Sequence, residues 1–210
     1  MAIAALSNFT VPLASDQSAG SQGMLMPKLK YRFRVNFENF GNSGSTTEMT
    51  KQVSDITRPN LTFANNVIDI YNSKINYAGK PSWENITVKL RDDVNGNVSK
   101  LVGEQNQRQF DFFEQSSAAS AGDYKFTMRI EMLDGGNGAD GPQVLESWEV
   151  YGCYLEKTNW QNLDYKENGP VMIDLTIRYD NAAQISGGDI GSSTPVILKG
   201  ANSTNNALGS

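Results

Sequence analysis

The run Asp134-Gly135-Gly136-Asn137-Gly138-Ala139-Asp140-Gly141 is the strongest hint of chemistry in this chain, because Gly-Gly-x-Gly-x-Asp matches one turn of a calcium-binding β-roll. Such rolls hold calcium between successive turns with carbonyl and carboxylate oxygens, and a solitary copy supplies too few of them. The glycines are better explained as a long hairpin loop in which positive φ angles are needed. Asp92-Asp93 suggests acid/base or metal chemistry. Neighbouring residues at a strand end point apart, however, and Asp or Asn ahead of a helix is ordinary capping. The sequence has no histidine, so neither a Ser-His-Asp nor a Cys-His relay can be built, and zinc loses its commonest nitrogen ligand. No catalytic residue, metal site or cofactor is expected.

Two further groups invite a binding function. Arg32, Arg34, Lys89, Arg91, Lys125, Arg129 and Arg178 lie on the polar parity of alternating segments, but Glu38, Glu131, Asp174 and Asp180 share it. The aromatic residues mostly fall on the opposite parity, whereas a single-strand nucleic-acid platform needs aromatics and cations on one exposed face. Trp148, Tyr151, Tyr154 and Trp160 could form a sugar-binding platform, although alternation divides them between two faces.

The elements that would position these residues are mostly strands. Tyr31, Phe33, Val35 and Phe37 alternate with Arg32, Arg34, Asn36 and Glu38, and residues 49–56 predict a second, less regular strand. Residues 61–71 are extended, with Phe63, Val67, Ile68, Ile70 and Tyr71 on both parities, which predicts burial on both faces. In so short a chain, one of those faces is open to cover by another subunit. Asn72-Ser73 turns this segment into residues 74–77, giving a hairpin with a polar tip and adhesive arms. On parity, Val67, Ile68, Ile70, Tyr71, Ile75 and Tyr77 are the expected subunit or ring contacts. Ile86, Val88 and Leu90 mark a half-buried strand, followed by one helix whose stripe is Val98, Leu101, Val102, Phe112 and Phe113. Gln105 and Gln109 fall on that stripe and predict a weakly anchored centre. Three more strands follow at residues 124–133, 144–154 and 171–180, separated by the glycine loop and a polar connection.

The chain has 210 residues, enough for one domain with its own core. We expect an N-terminal arm over 1–29, a mainly β domain over 30–180, and a flexible or arm-like extension over 181–210. The fold class is β with one helix: an antiparallel two-sheet sandwich or partly closed barrel, capped by that helix. With 23 acidic against 18 basic residues the formal charge is −5, which offers no footprint for tight nucleic-acid binding. The lone Cys153 excludes an internal disulfide framework, fits a reducing compartment and reads as a small buried hydrophobe. The first residues lack the basic start of a signal peptide, and no apolar run is long enough to span a bilayer.

A longer pattern joins these pieces. Lys74-Ile75-Asn76-Tyr77-Ala78-Gly79, the aromatic Trp83, the alternating strand to Arg91, Asp92-Asp93 and an amphipathic helix follow one another in that order. A second block at 146–179 carries Gly152, Leu163-Asp164-Tyr165 and a final alternating strand. Together they resemble the tail tube proteins of T-even-type contractile phages over residues 30–180, with both ends running beyond the pattern. The resemblance implies a non-enzymatic virion protein of a myovirus-like bacteriophage, assembled in the host cytoplasm into homohexameric rings. The inner sheets of such rings join into a β-barrel, and the stacked rings form the conduit for genome ejection. Its implied partners are further copies of itself, the sheath, tape-measure and baseplate proteins, and DNA in transit without sequence-specific binding. Thr127, Arg129, Glu131, Asp174 and Thr176 are then the candidate lumen residues. Other readings are a baseplate or secretion-system tube subunit and, from a different class, a monomeric glycan-binding sandwich using residues 148–160.

Overall fold

A computed structural model describes residues 27–42, 46–136, 141–186, 188, 190 and 191. The chain forms two units, Met1–Arg32 and Phe33–Ser210. Most of the predicted N-terminal arm and residues 192–210 lie outside the described residues, as do 137–140 of the glycine loop. In the first unit Tyr31 is exposed, its ring lying 5.5 Å from the Arg32 guanidinium. The first strand therefore begins later than the alternation suggested.

The second unit runs β1 (Phe33–Glu38), α1 (Thr47–Gln52), β2 (Val53–Ile56), β3 (Leu61–Ile70), β4 (Ser73–Trp83), β5 (Ile86–Arg91), α2 (Asn97–Gln109), β6 (Phe110–Asp111), β7 (Ser116–Ser117), α3 (Ala121–Tyr124), β8 (Phe126–Leu133), β9 (Val144–Asn159), β10 (Met172–Arg178) and β11 (Asn181–Ser186). It is mainly β and antiparallel, a sandwich that a single copy does not close into a barrel. Beside the predicted helix stand two short ones. Of these, α1 occupies part of the segment read as a second strand, with Met49 buried as its anchor. Only Val53–Ile56 of that segment is strand.

The long strand β9 organises both sheets. Its first half pairs with β8 on one side and β11 on the other, and its second half pairs with β10. The order is thus β1-β8-β9-β11 in the first sheet and β9-β10-β5-β2 in the second. Between the halves sits Gly152 at φ +67°, with Asp180 opposite it, so that an added Cβ would collide with the Asp180 carboxylate. The extra residue shifts the alternation. Trp148 and Val150 point into the core before it and Cys153 and Leu155 after it, which lets one strand serve two sheets. Its partner, β10 and β11, crosses the same break at Tyr179 and Asp180, where the Asp180 N–H donates to the Tyr151 carbonyl at 3.0 Å. Residues 181–186, assigned from sequence to the C-terminal extension, are therefore a sheet strand.

One core joins the layers: Val35, Phe37, Met128, Ile130 and Val150 from the first sheet; Val88, Leu90, Ile173, Leu175 and Ile177 from the second; and Val98, Leu101 and Val102 from α2. Phe112 and Phe113 do not belong to this stripe. The helix stops at Gln109, and both rings stand exposed beyond β6. The expected capping is present in displaced form, because Gly96 precedes the helix and the carboxylates behind it reach forward. Asp93 Oδ1 accepts from the Asn97 N–H at 2.7 Å, and Asp92 Oδ1 accepts from the Ser99 N–H at 3.3 Å. The two glutamines anchor the helix. Gln105 is fully buried, and Gln109 donates to the Leu155 carbonyl at 2.9 Å while accepting the Leu155 N–H at 2.8 Å. That amide takes the place of a neighbouring strand along the open side of β9.

Cys153 is buried, its thiol 3.3 Å from the Val150 carbonyl, and burial pushes it up to about 12. Thiolate is the nucleophilic form, so this cysteine is inert in the fold. In the unfolded chain it ionises near its ordinary value of about 8.5. Its stabilising contribution is complete below that pH and declines as pH climbs towards the folded value, at about 1.4 kcal/mol per pH unit. Urea midpoints measured from about pH 9 to pH 11 should therefore fall more steeply for the parent than for Cys153→Ala. Parallel slopes would contradict the assignment.

Candidate assembly surface

The β3–β4 ribbon is the feature that the core does not account for. It is a separate two-stranded sheet of ten and eleven residues, roughly 33 Å long at the rise of a strand. An isolated ribbon of two strands is marginal in water. At its base Leu61 pairs with Trp83, whose ring stacks on Tyr179 at 5.8 Å and ties the ribbon to the core. Beyond the base every residue but Gly79 is exposed.

Register sorts the side chains. Asn66 pairs with Tyr77, Ile68 with Ile75 and Ile70 with Ser73; cross-strand partners share a face, so Ile68, Ile70, Ile75 and Tyr77 form one apolar strip. They are 49, 47, 51 and 50% exposed. The opposite face carries Asn65 hydrogen-bonded to Asn76 at 3.3 Å, the Asp69–Lys74 ion pair at 3.3 Å, and Val67. Tyr71, with φ +47°, occupies the turn and is fully exposed. The expectation of burial on both faces thus becomes, in a single copy, burial on neither, with four of the six residues gathered on one side. A bulge near Ala64 rephases the base, and Gly79 is required there: a Cβ would lie 2.7 Å from Asn66 Nδ2 and 3.0 Å from the Ala64 carbonyl.

The remaining expectations fall as follows. Thr127 and Arg129 project from β8 on the outward face of the first sheet, where Glu131 shares their parity but is buried beside Arg34, whereas Asp174 and Thr176 project from β10 on the outward face of the second. They do not form one surface within the chain. Trp148 is buried, its indole N–H donating to Glu146 at 2.8 Å, while Tyr154 packs edge-on against Tyr124 at 6.3 Å. The aromatic platform proposed for sugars is therefore not assembled. Asp134 Oδ1 accepts from the Gly136 and Gln143 N–H groups at 2.8 and 2.9 Å, which is turn chemistry. Leu163 and Tyr165, noted in the sequence as part of the second block, stand exposed in the polar connection between β9 and β10. Their surroundings gave no periodic signal.

No family model matches the sequence, and no curated protein matches it. The fold does match solved structures. A chain of the anti-feeding prophage cap, described as its tube-terminating cap, has a TM-score of 0.58 at 14% identity, covering 81% of this chain and 98% of that one. A chain of the sheath–tube complex of the extracellular contractile injection system PVC, in its extended state, has a TM-score of 0.54 at 16% identity, covering 76% and 92%. A chain of the PVC sheath/tube terminator has a TM-score of 0.54 at 15% identity, covering 77% and 99%. The likeness spans nearly the whole length of each neighbour. At such identities it is a likeness of fold.

Proposed function

We propose that this chain is a structural subunit of a contractile tail tube, non-enzymatic, whose copies close into hexameric rings that stack into a hollow conduit. The observation that carries this reading is the solvent-exposed apolar strip of Ile68, Ile70, Ile75 and Tyr77 on a ribbon unsupported by its own chain. A neighbouring copy would cover it. The outer edges of β1, β2 and β11 are unpaired by other described strands, and a closed ring is one way to pair such edges. The fold shared with chains of sheath–tube and cap assemblies supports the same reading. In it, the protein resides in a phage virion, contacts sheath, tape-measure and baseplate proteins, and passes DNA without gripping it.

A second reading is that the subunit sits at a tube end or in a baseplate, favoured by the matches to a tube-terminating cap and a terminator. Negative-stain imaging of the purified full-length protein separates the possibilities. Long tubes support the tube subunit, rings that do not stack support the terminal subunit, and featureless small particles at high concentration overturn both.

A further inference from the structure

The sequence carries three Asn-Gly pairs, Asn95-Gly96, Asn137-Gly138 and Asn168-Gly169, and the fold treats the first and last in opposite ways. Asn137-Gly138 lies outside the described residues. Asn95 and Gly96 end the turn that leads into α2. The Gly96 N–H donates to the Asp93 carbonyl at 2.9 Å, the Gly96 carbonyl accepts the Lys100 N–H at 2.9 Å, and the Asp93 carboxylate holds the Asn97 N–H at 2.7 Å. The backbone at Gly96 is therefore bonded on both sides and fixed at φ +66°. Asn168 and Gly169 lie in the connection between β9 and β10, where residues 161–170 are all exposed and none is helix or strand. The turn there, with Lys166 N–H to Asp164 Oδ1 at 3.0 Å and Glu167 N–H to the Asp164 carbonyl at 3.3 Å, stops short of Asn168. Among the described residues neither the Asn168 side chain nor the Gly169 N–H has a hydrogen-bond partner, and a Cβ added at Gly169 would meet nothing within 4 Å.

We infer that Asn168 is a self-modification site, at which the chain converts an uncharged amide into a carboxylate, and that the fold protects Asn95 from the same reaction. The inference rests on the single chain and not on the tube reading. Water is the only co-reactant. The Gly169 backbone nitrogen gives up its proton and attacks the side-chain amide carbon of Asn168. A new C–N bond closes a five-membered succinimide while the bond to the side-chain nitrogen breaks, and that nitrogen takes up a proton and leaves as ammonia. Water then opens the ring at either carbonyl, giving aspartate or, with the backbone lengthened by one carbon, isoaspartate. The attack requires the nitrogen to swing over the side-chain carbon, which a following glycine permits because it has no Cβ. At Asn168 no bond has to be broken first. At Asn95 the same swing takes the Gly96 N–H from the Asp93 carbonyl and pulls at the first turn of α2, so it waits for local opening. The product at Asn168 adds a carboxylate, ionised at neutral pH, to a loop that already holds Asp164 and Glu167. The next backbone bond along the chain is that from the Asp92 N–H to the Val171 carbonyl at 3.0 Å, so the longer backbone of isoaspartate is taken up within the loop.

Peptide mapping by mass spectrometry tests the assignment. The full-length protein, taken as its smallest species from a sizing column, is held for days in mildly alkaline buffer, with a parallel sample in enough urea to unfold it. Peptides spanning each Asn-Gly pair are followed for the mass gain of an amide turning into an acid. In the folded protein Asn168 should convert at least about tenfold faster than Asn95, a difference of about 1.4 kcal/mol in barrier. Unfolding should bring the Asn95 rate up towards that of Asn168 and change the Asn168 rate little. Equal rates in the folded protein overturn the inference, as does an Asn168 rate that rises only in urea. A gap of the same size that persists in urea also overturns it, because the neighbours Val94 and Glu167 would then set the rates and not the fold. Asn168→Gln, whose longer side chain disfavours the cyclisation, should reduce the acidic species that the folded parent accumulates on ion exchange, whereas Asn95→Gln should leave them unchanged. The opposite pair of results contradicts the assignment.

Discussion

Changing Ile70 and Ile75 together to Asp should abolish assembly while leaving the subunit folded. Both side chains lie on the apolar strip of the β3–β4 ribbon, half exposed, and neither belongs to the core cluster. Covering the exposed half of each of four such side chains contributes roughly 1 kcal/mol apiece to an interface. The double variant removes two of these contributions and places two carboxylates against an apolar surface, where each unpaired charge costs several kcal/mol more. Every subunit of a ring would carry the same defect, so the loss multiplies around it. The expected result is a single small species by sizing and no rings or tubes by negative stain. Far-ultraviolet circular dichroism should match the parent's unassembled form. Long tubes of normal appearance would show that the strip faces solvent in the assembly. Val67→Asp, on the opposite face beside the Asp69–Lys74 pair, is the control expected to do less.

How much of this was legible beforehand follows from where each signal arises. The strands β1, β5, β8 and β10 could be read because one face of each is buried and the other wet, so alternation alone marks them. The β3–β4 hairpin was legible as a hairpin, but its faces were not. Val67 beside Ile68 looks two-sided until the register shows that four neighbours on the Val67 face, Asn65, Asp69, Lys74 and Asn76, are polar or charged. The strand β11, Asn-Ala-Ala-Gln-Ile-Ser, has little intrinsic strand character, and only its continuation of β10 along β9 makes it one. Phe112 and Phe113 continue a helical stripe on paper, and nothing in a stripe says where the helix stops. The division of the lumen candidates between two sheets was likewise invisible, because parity assigns a residue to a face without saying to which sheet the face belongs.

Gln105→Leu should destabilise the fold, although by hydrophobicity it improves the stripe of α2. The side chain is fully buried, its Oε1 accepting the Gly41 N–H at 3.0 Å and its Nε2 donating to the Tyr124 carbonyl at 2.6 Å. It thereby joins the turn after β1 to the end of α3, on either side of the helix. Arg108 repeats the arrangement one turn later with bonds to the Asn39 and Gly41 carbonyls at 2.9 Å. Gly41 has φ +66°, and a Cβ there would lie 3.2 Å from the Leu101 side chain and 3.3 Å from its carbonyl, so the turn that receives these bonds favours glycine. A leucine leaves a buried N–H and a buried carbonyl without partners, a cost of about 2–5 kcal/mol for the two, against which the gain from one more apolar side chain is about 1–2 kcal/mol because the site is already filled. In a domain of this size a net loss of about 1–3 kcal/mol lowers the melting temperature by roughly 2–12 °C. Gln105→Glu keeps the acceptor for Gly41 but sets a buried carboxylate against the Tyr124 carbonyl, so near neutral pH it should also be destabilised. A leucine variant as stable as the parent would mean that helix α2 is held by its apolar stripe alone, and that the two glutamines are tolerated there instead of required.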